Sequence, residues 1–139
     1  IPTNTTCRKV LKLIDGVINK VAISKRIKAV YRIEDNTEPF EADLNSPLVR
    51  ALSLSIQDIK KKRPLLLRKT GTGDMNILGN ALNVPVVTYG PGDPHASHTA
   101  NERVQIEEYV SSIDVFVRAL FHMSRFHHNK KLNDSKAKI

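Results

Sequence analysis

The segment VPVVTYGPGDPHASHTANE, residues 84–102, decides the fold class that we expect for this chain. It opens with a nearly unbroken apolar run at residues 84–89, which is typical of a strand buried on both faces of a parallel sheet. Glycine and proline then stiffen a turn over residues 90–94, and His98 follows. Because open α/β sheets bind their ligands beyond the carboxyl ends of the strands, the segment predicts a ligand-binding loop.

Apolar periodicity places the other elements around this loop. Helical spacing of apolar residues predicts helices over residues 5–20, 47–63, 75–82 and 106–121. Alternating or unbroken apolar runs predict strands over residues 26–35, 65–69 and 84–89. The order after residue 45 is helix, strand, helix, strand, helix, which indicates an α/β domain with a parallel-sheet core. Asn45, Ser46 and Pro47 form a helix start in which an N-cap residue precedes a proline in the first turn.

The first part of the chain forms an incomplete layer in this interpretation. One helix and one lone strand cannot complete a sheet, so the strand at residues 26–35 should pair with strands that precede Ile1 or with another chain. Residues 36–47 hold two prolines and three acids with little periodicity, which is typical of a crossing between two structural units. The chain starts at Ile1 and Pro2 without an initiator methionine, and we expect it to begin in the middle of a longer polypeptide.

The composition excludes several classes of protein. With 139 residues, 40% of them apolar, the chain can form one ordinary domain with a buried core, or pieces of two. It contains no run of about 18 apolar residues and no apolar signal segment at its start, so we expect a cytoplasmic protein without a membrane partner. The single cysteine, Cys7, excludes an internal disulfide and a cysteine-based zinc cage. Any metal site must therefore use histidine, aspartate and glutamate.

The charge distribution favours a cation near the loop over a nucleic-acid surface. The net charge of +8 first suggests nucleic acid as a partner. Residues 81–117, however, hold only Arg103 against five acids, whereas residues 1–40 hold eight lysines and arginines against four acids and residues 118–139 hold six against one. Acidity beside histidines suits a bound cation better than a phosphate backbone. The run KKKR at residues 60–63 closes a predicted helix, where cations complement the helix dipole.

The first loop that could bind a ligand is KTGTGDMN, residues 69–76, between a predicted strand and a predicted helix. Gly71 and Gly73 allow a sharp turn that exposes backbone N–H groups, and Thr72 adds a hydroxyl, so the turn can hold a substrate carboxylate. The alternative is an ordinary strand-to-helix turn with Thr72 or Asp74 as the N-cap. The spacing of a phosphate-binding loop is absent.

The second loop carries the candidate metal ligand. His98 lies in a stiff loop with Asn101 and Glu102 close behind, and neutral imidazole is a common metal ligand in proteins. One histidine does not make a metal site, because zinc takes three or four protein ligands. His95 is the competing ligand. The other histidines lie in the last helix and the tail, where exposure to solvent is the simpler account: His122, His127 and His128.

Together the two loops resemble the C-terminal end of a known enzyme family. RKTGTGDMN at residues 68–76 and PVVTYGPGDPHASHTANERVQIEEY at residues 85–109 are similar to zinc-dependent amidohydrolases that include acetylornithine deacetylase, succinyl-diaminopimelate desuccinylase and carboxypeptidase G. The resemblance is strongest to the branch of acetyl-lysine deacetylases, which release lysine or ornithine from an amino-group carrier protein. It covers the chain from Ile1 to about Leu120.

The resemblance implies a division of the chain between two domains. In that family an α/β catalytic domain is interrupted by a smaller, ferredoxin-like lid domain. Residues 1–37 are then expected to be the C-terminal part of the lid and dimerisation domain, and residues 38–124 the C-terminal part of the catalytic domain. Residues 125–139 are expected to be a basic, flexible tail.

The resemblance also implies roles for particular residues. The family binds two metal ions, zinc or cobalt, and takes most ligands and its catalytic glutamate from regions upstream of these motifs. His98 matches the final metal ligand, and no catalytic residue is expected in this chain. Gly71, Thr72 and Asp74 match the turn that lines the substrate site, and Arg68 is the expected partner of a substrate carboxylate.

The function that follows is amide hydrolysis in lysine or arginine biosynthesis. We expect the parent protein to be a homodimer that acts on N-acyl-lysine, N-acyl-ornithine or an acidic amino-group carrier protein, and we expect the isolated chain to be inactive. The alternative is a small basic module that binds nucleic acid or an acidic protein, or associates with itself. A steep salt dependence of binding that involves residues 60–63 and 125–139 would indicate that alternative.

Overall fold

The computed structural model describes residues 2–69 and 71–136 of the chain. Four helices form within these residues: α1 at Cys7–Lys25, α2 at Pro47–Lys60, α3 at Asp74–Leu82 and α4 at Ile106–Lys136. Each lies where apolar periodicity predicted a helix. Helix α1 runs past residue 20, and α4 continues through residues 125–136 of the predicted tail, whose last three residues lie outside the described part.

The predicted parallel sheet is absent from the described residues. The segments 26–35, 65–69 and 84–89 form no strand, so the expectation of an α/β fold with a parallel-sheet core was wrong for the structure of this chain, as was the lone strand of the lid. A strand exists only through hydrogen bonds to a neighbouring strand. Alternation and apolar runs report the preference of a segment for a pleated, buried surface, and they do not supply the partner.

The described chain separates into two compact units. One contains Ile1–Glu41 and Arg68–Val84, and the other contains Ala42–Leu67 and Pro85–Ile139. These units follow the contacts within this chain, whereas the predicted domains 1–37, 38–124 and 125–139 refer to a whole protein. The domain bounds therefore stay a prediction.

In the first unit, Glu38 links α1 and α3. Its carboxylate accepts a hydrogen bond from the backbone N–H of Cys7, at 3.1 Å, at the start of α1. Its backbone carbonyl accepts one from the Asn76 side chain on α3, also at 3.1 Å. Thr6 is the N-cap of α1 and accepts from the N–H of Lys9. Helix α1 buries none of its residues, and the Glu38 carboxylate joins its first turn to the segment that follows it.

In the second unit, α2 and α4 pack against each other in antiparallel directions. Arg50 near the start of α2 lies over the ring of Phe126. Asp58, which follows Arg50 towards the end of α2, contacts His122, which precedes Phe126 on α4. The buried side chains of the two helices are small or of medium size: Val49, Ala51 and Ser55 on α2, and Ser112, Val115 and Ala119 on α4. Over the part of the chain that the structure describes, no helix has the length and hydrophobicity needed to cross a membrane.

Candidate functional site

The loop between residues 90 and 105 is built from successive tight turns. The N–H of Ala96 donates to the carbonyl of Asp93 at 3.0 Å, that of Thr99 to Ala96 at 3.2 Å, and that of Glu102 to Thr99 at 3.1 Å. The Asp93 side chain also accepts from the N–H of His95 at 2.9 Å. These turns satisfy backbone groups locally and hold the loop without a strand partner.

His98 lies at the third position of the turn that joins Ala96 to Thr99. Its φ is +64°, in the left-handed region that glycine adopts with least strain. Three other described non-glycine residues have positive φ, and each ends a helix: Arg26, Lys61 and Asn83. His98 adopts this conformation inside a loop, where no helix end accounts for it, and its side chain is exposed. A non-glycine residue held in such a conformation within a loop is a candidate for function.

Two glutamates hold the backbone of this loop. Oε2 of Glu102 accepts from the N–H of His98 at 3.0 Å, and Oε2 of Glu108 accepts from the N–H of Gly92 at 3.2 Å. Gly92 has a φ of +99°, so both N–H groups belong to residues with positive φ. Glu108 lies in the first turn of α4, where a negative charge is favoured by the helix dipole. The loop is therefore tied to an element of regular structure.

Tyr89 directly precedes the loop and packs on α4. Its ring meets that of Phe116 edge to face, with the centroids 5.4 Å apart. Burial of the hydroxyl, and then the negative charge of Glu108, raise the pKa of Tyr89 above its ordinary value. The hydroxyl oxygen is buried and finds no hydrogen-bond partner among the described residues, which makes this phenol a source of instability.

The other histidines have different surroundings from His98. His95, the competing ligand, is exposed in the same loop, and His127 and His128 are exposed on α4. His122 contradicts the expectation of exposure, because its side chain is only 16% exposed and its Nε2 lies 3.2 Å from Oδ2 of Asp58 on α2. It also stacks on Phe126. His122 therefore has a structural role between α2 and α4.

The described residues do not by themselves form a metal site. In residues 2–69 and 71–136, no three side chains of histidine, cysteine, aspartate or glutamate come close enough together to hold an ion. His98 thus presents one donor, whereas zinc takes three or four from the protein. The residues at hand do not fit a complete metal centre.

Arg68, the predicted partner of a substrate carboxylate, already holds a carboxylate of this chain. Its Nε lies 2.8 Å from Oε1 of Glu41, and a terminal nitrogen lies 2.6 Å from the same oxygen. The Arg68 side chain is 85% exposed, so water screens this ion pair and leaves its other N–H groups accessible. The sequence did not indicate Glu41 as the partner of Arg68.

The glycine-rich turn begins α3 with Gly73 as the N-cap, so the alternative of Thr72 or Asp74 as the cap was wrong. Asn76 replaces the missing side-chain cap, since its Oδ1 accepts from the N–H of Gly73 at 3.2 Å. Gly71 and Thr72 are exposed, and Asp74 is exposed in the first turn. A Cβ at Gly73 would meet no atom within 4 Å, so packing inside this chain does not require glycine there.

The chain matches one known protein family over most of its length. The profile of the peptidase family M20/M25/M40 matches residues 5–122, which is most of the chain. The chain belongs to the peptidase family M20/M25/M40. Family membership agrees with the resemblance that the two loops indicated.

Relatives within this family share one name. Over 90 residues the chain is 40% identical to a LysW-lysine/LysW-ornithine hydrolase of Sulfurisphaera tokodaii, covering 64% of this chain and 25% of that protein. Over 108 residues it is 33% identical to one of Saccharolobus islandicus, covering 76% of this chain and 30% of the relative. A provisionally named one from Thermococcus kodakarensis is 45% identical over 89 residues, covering 63% of this chain and 25% of its own length. The chain thus spans about a quarter to a third of the relatives that it matches.

The predicted site residues fall into both compact units. Arg68, Gly71, Thr72 and Asp74 belong to the unit that contains α1 and α3, and His98 belongs to the unit that contains α2 and α4. Sequence reasoning missed the link from Glu108 to Gly92. The available signal was the cluster of acids after the loop, which we interpreted as support for a cation rather than as hydrogen-bond acceptors for the loop backbone.

Proposed function

We propose that this chain supplies the C-terminal part of a metal-dependent amide hydrolase that releases lysine or ornithine from an N-acyl or carrier-protein-linked precursor. The observation that carries the proposal is the family match over residues 5–122, together with the strained, exposed His98 inside that match. The names of the relatives support a substrate that joins lysine or ornithine to a partner called LysW. The acidic amino-group carrier protein that we expected is a partner of this kind.

His98 is the residue that we assign to metal binding. A bound zinc or cobalt ion would polarise the amide carbonyl and acidify water in such a hydrolase. One histidine cannot hold an ion alone, so we assign to His98 only the supply of an imidazole nitrogen. Two ions are proposed for the complete protein alone. His95 lacks the strained conformation of His98 and serves as its natural control.

The substrate side of the proposal rests on the glycine-rich turn and its neighbour. Gly71 and Thr72 lie in an exposed turn before α3 and Asp74 is exposed in its first turn, where backbone N–H groups of a helix start favour an anion. Arg68 is held by Glu41 and keeps N–H groups free for a second carboxylate. A substrate carboxylate would share or replace the Glu41 contact, at little cost because that pair is exposed.

The isolated chain is proposed to be inactive, because one metal donor cannot hold an ion. The test is release of free lysine from N-acetyl-lysine, with added zinc or cobalt. We expect no release by the 139-residue chain and release, abolished by a chelator, by the protein made from the complete reading frame. Metal-dependent release by the 139-residue chain alone would overturn the proposed inactivity. Absence of release by both forms, with carrier-linked lysine as well, would overturn the proposed activity.

A second function, self-association, is favoured by one observation. Helix α4 exposes a run of apolar side chains at helical spacing: Ile106, Tyr109, Val110, Ile113, Val117 and Leu120. Such a contiguous apolar surface marks a site of contact with protein. Contact of this kind is compatible with the homodimer that we propose for the parent protein. We also propose that the parent protein is cytoplasmic.

A further inference from the structure

We propose that Glu102 and Glu108 are positioning residues that fix the direction of the His98 side chain through the loop backbone. The inference rests on the proposed function, in which His98 is a metal ligand. The two glutamates accept hydrogen bonds from N–H groups inside the loop, at 3.0 Å from His98 and 3.2 Å from Gly92. They act on the ligand through the main chain and are not ligands in this assignment.

The pattern of contacts is selective. In the loop at residues 90–105, the described residues with positive φ are Gly92 and His98, and these are the two whose N–H groups meet a glutamate. The left-handed conformation costs a non-glycine residue such as His98 energy, and the N–H of His98 is held by Glu102. A carboxylate placed to accept that N–H stabilises the unusual conformation, and a charged acceptor makes the bond stronger than a neutral one.

Each glutamate has its own means of holding the loop. Glu102 follows His98 by four residues, and its own N–H donates to Thr99, so the side chain folds back over the turn that contains His98. Glu108 is anchored in the first turn of α4 and is partly buried. The Glu102 hydrogen bond is therefore local to the turn. The Glu108 hydrogen bond connects the start of the loop to α4, which packs on α2.

The consequence for His98 is geometric. Once φ is fixed at +64° and the N–H is held, the direction of the Cα–Cβ bond is set, and the imidazole can sweep only through its side-chain rotamers. Ligand groups need to be held within a fraction of an ångström for tight metal binding. Loss of the hydrogen bond from either glutamate should increase the mobility of the loop backbone and, with it, of the imidazole. No other metal ligand would be changed.

The test is residue-resolved nuclear magnetic resonance on the 139-residue chain. The variants are Glu102→Ala, Glu102→Gln, Glu108→Ala and Glu108→Gln, with Glu107→Ala as a matched control in the same first turn of α4. Two quantities are measured at His98 and Gly92: the rate of amide hydrogen exchange, and, for His98, the three-bond couplings that report its χ1 rotamers. Core amides of α2 and α4 serve as the internal reference.

We expect Glu102→Ala to speed exchange of the His98 amide by about tenfold or more, and Glu108→Ala to do the same at Gly92. Each alanine variant should also average the His98 couplings towards several rotamers. The glutamine variants should restore both quantities to within about threefold of wild type, because the amide oxygen still accepts. The Glu107→Ala control should resemble wild type throughout.

Three outcomes would overturn the inference. His98 couplings that stay unchanged in both alanine variants would show that the glutamates do not orient the imidazole. Equal acceleration of loop and core amides would show a role in global stability alone. Failure of both glutamine variants to restore the couplings would exclude an acceptor role. None of these results depends on bound metal. The proposed function has its own test, and it fails if His98→Ala in the complete protein leaves the metal content unchanged.

Discussion

His98 occupies a backbone conformation that costs histidine more than glycine. The stiff, glycine- and proline-rich loop offered both His95 and His98 as candidate ligands, and the family resemblance selected His98. It did not indicate the positive φ, since histidine adopts the left-handed region only occasionally and the turn that imposes it closes through backbone hydrogen bonds. A side chain kept in a conformation that favours glycine points to chemistry rather than packing.

Replacement of His98 by glycine should therefore not reduce the stability of the chain. We expect His98→Gly to leave the free energy of unfolding unchanged or to raise it by about 0.5–1 kcal/mol, because the strain of the left-handed conformation is relieved. His98→Ala keeps that strain and should be less stable than His98→Gly. Urea denaturation followed by circular dichroism measures both. A loss of more than about 1 kcal/mol in His98→Gly would show that the imidazole contributes to the fold.

Tyr89 gives a pH-dependent prediction at the same scale. Because its pKa is raised by burial and then by Glu108, folding keeps the phenol protonated where the unfolded chain would ionise it. As far as Tyr89 determines it, stability keeps its full value below the ordinary pKa of 10.0 and falls as the pH rises from there through the raised value, because the unfolded chain ionises first. We expect wild type to lose stability relative to Tyr89→Phe above about pH 10.

At neutral pH, Tyr89→Phe should be as stable as wild type or more stable by about 0.5–1 kcal/mol, since the buried hydroxyl finds no partner among the described residues. Tyr109→Phe, at an exposed ring, controls for removal of a phenol. Denaturation at pH 7 and at several values above 10 makes the comparison. If the Tyr89→Phe and wild-type curves stayed parallel through alkaline pH, the inferred burial of the phenol would be wrong.

At the scale of elements, the sequence predicted the helices and failed on the strands. Helices satisfy their backbone hydrogen bonds within one segment, so the pattern around Ser46 and Pro47 was sufficient to place the start of α2. Strands need a partner, and residues 26–35, 65–69 and 84–89 have none in the described chain. The relatives are three to four times longer than the part that matches. A segment that would form a strand in a longer protein therefore need not have its neighbouring strand within this chain.

The cap of α2 supplies the prediction at this scale. Ser46 is buried, and its Oγ accepts from the N–H of Val49 at 3.3 Å. Ser46→Ala should lower the free energy of unfolding by about 0.5–2 kcal/mol, since an N–H at the start of the helix loses its acceptor. Ser46→Asp should retain most of the stability because a carboxylate also caps. Chemical denaturation tests this, and an unchanged midpoint for Ser46→Ala would show that the cap contributes nothing.

At the scale of the whole molecule, the chain exposes more apolar surface than an independent domain usually does. Helix α4 buries one face against α2 and presents another to solvent, where Leu120 is 73% exposed. The sequence did not predict this surface, because the incomplete layer that it indicated lies in residues 1–35. Which surface would be exposed followed from the antiparallel packing of α2 and α4, and that was not available from periodicity.

We therefore expect the purified chain to associate as its concentration rises. Leu120→Glu should raise the dissociation constant by about tenfold or more, because burial of a leucine contributes about 1.5–3 kcal/mol. Asn129→Glu, which adds the same charge at another exposed position of α4, should not. Sedimentation equilibrium measures the mass at each concentration. A chain that stayed monomeric at all concentrations, or equal effects of the two variants, would exclude association through this surface.

The most direct measurement is the metal content of the protein made from the complete reading frame, determined by native mass spectrometry for wild type, His98→Ala and His95→Ala. We predict about two metal ions per site in wild type and in His95→Ala, and the loss of at least one ion in His98→Ala. Equal metal content in all three proteins, with hydrolysis of acyl-lysine retained by His98→Ala, would contradict the assignment of His98 and with it the role that we propose for this chain.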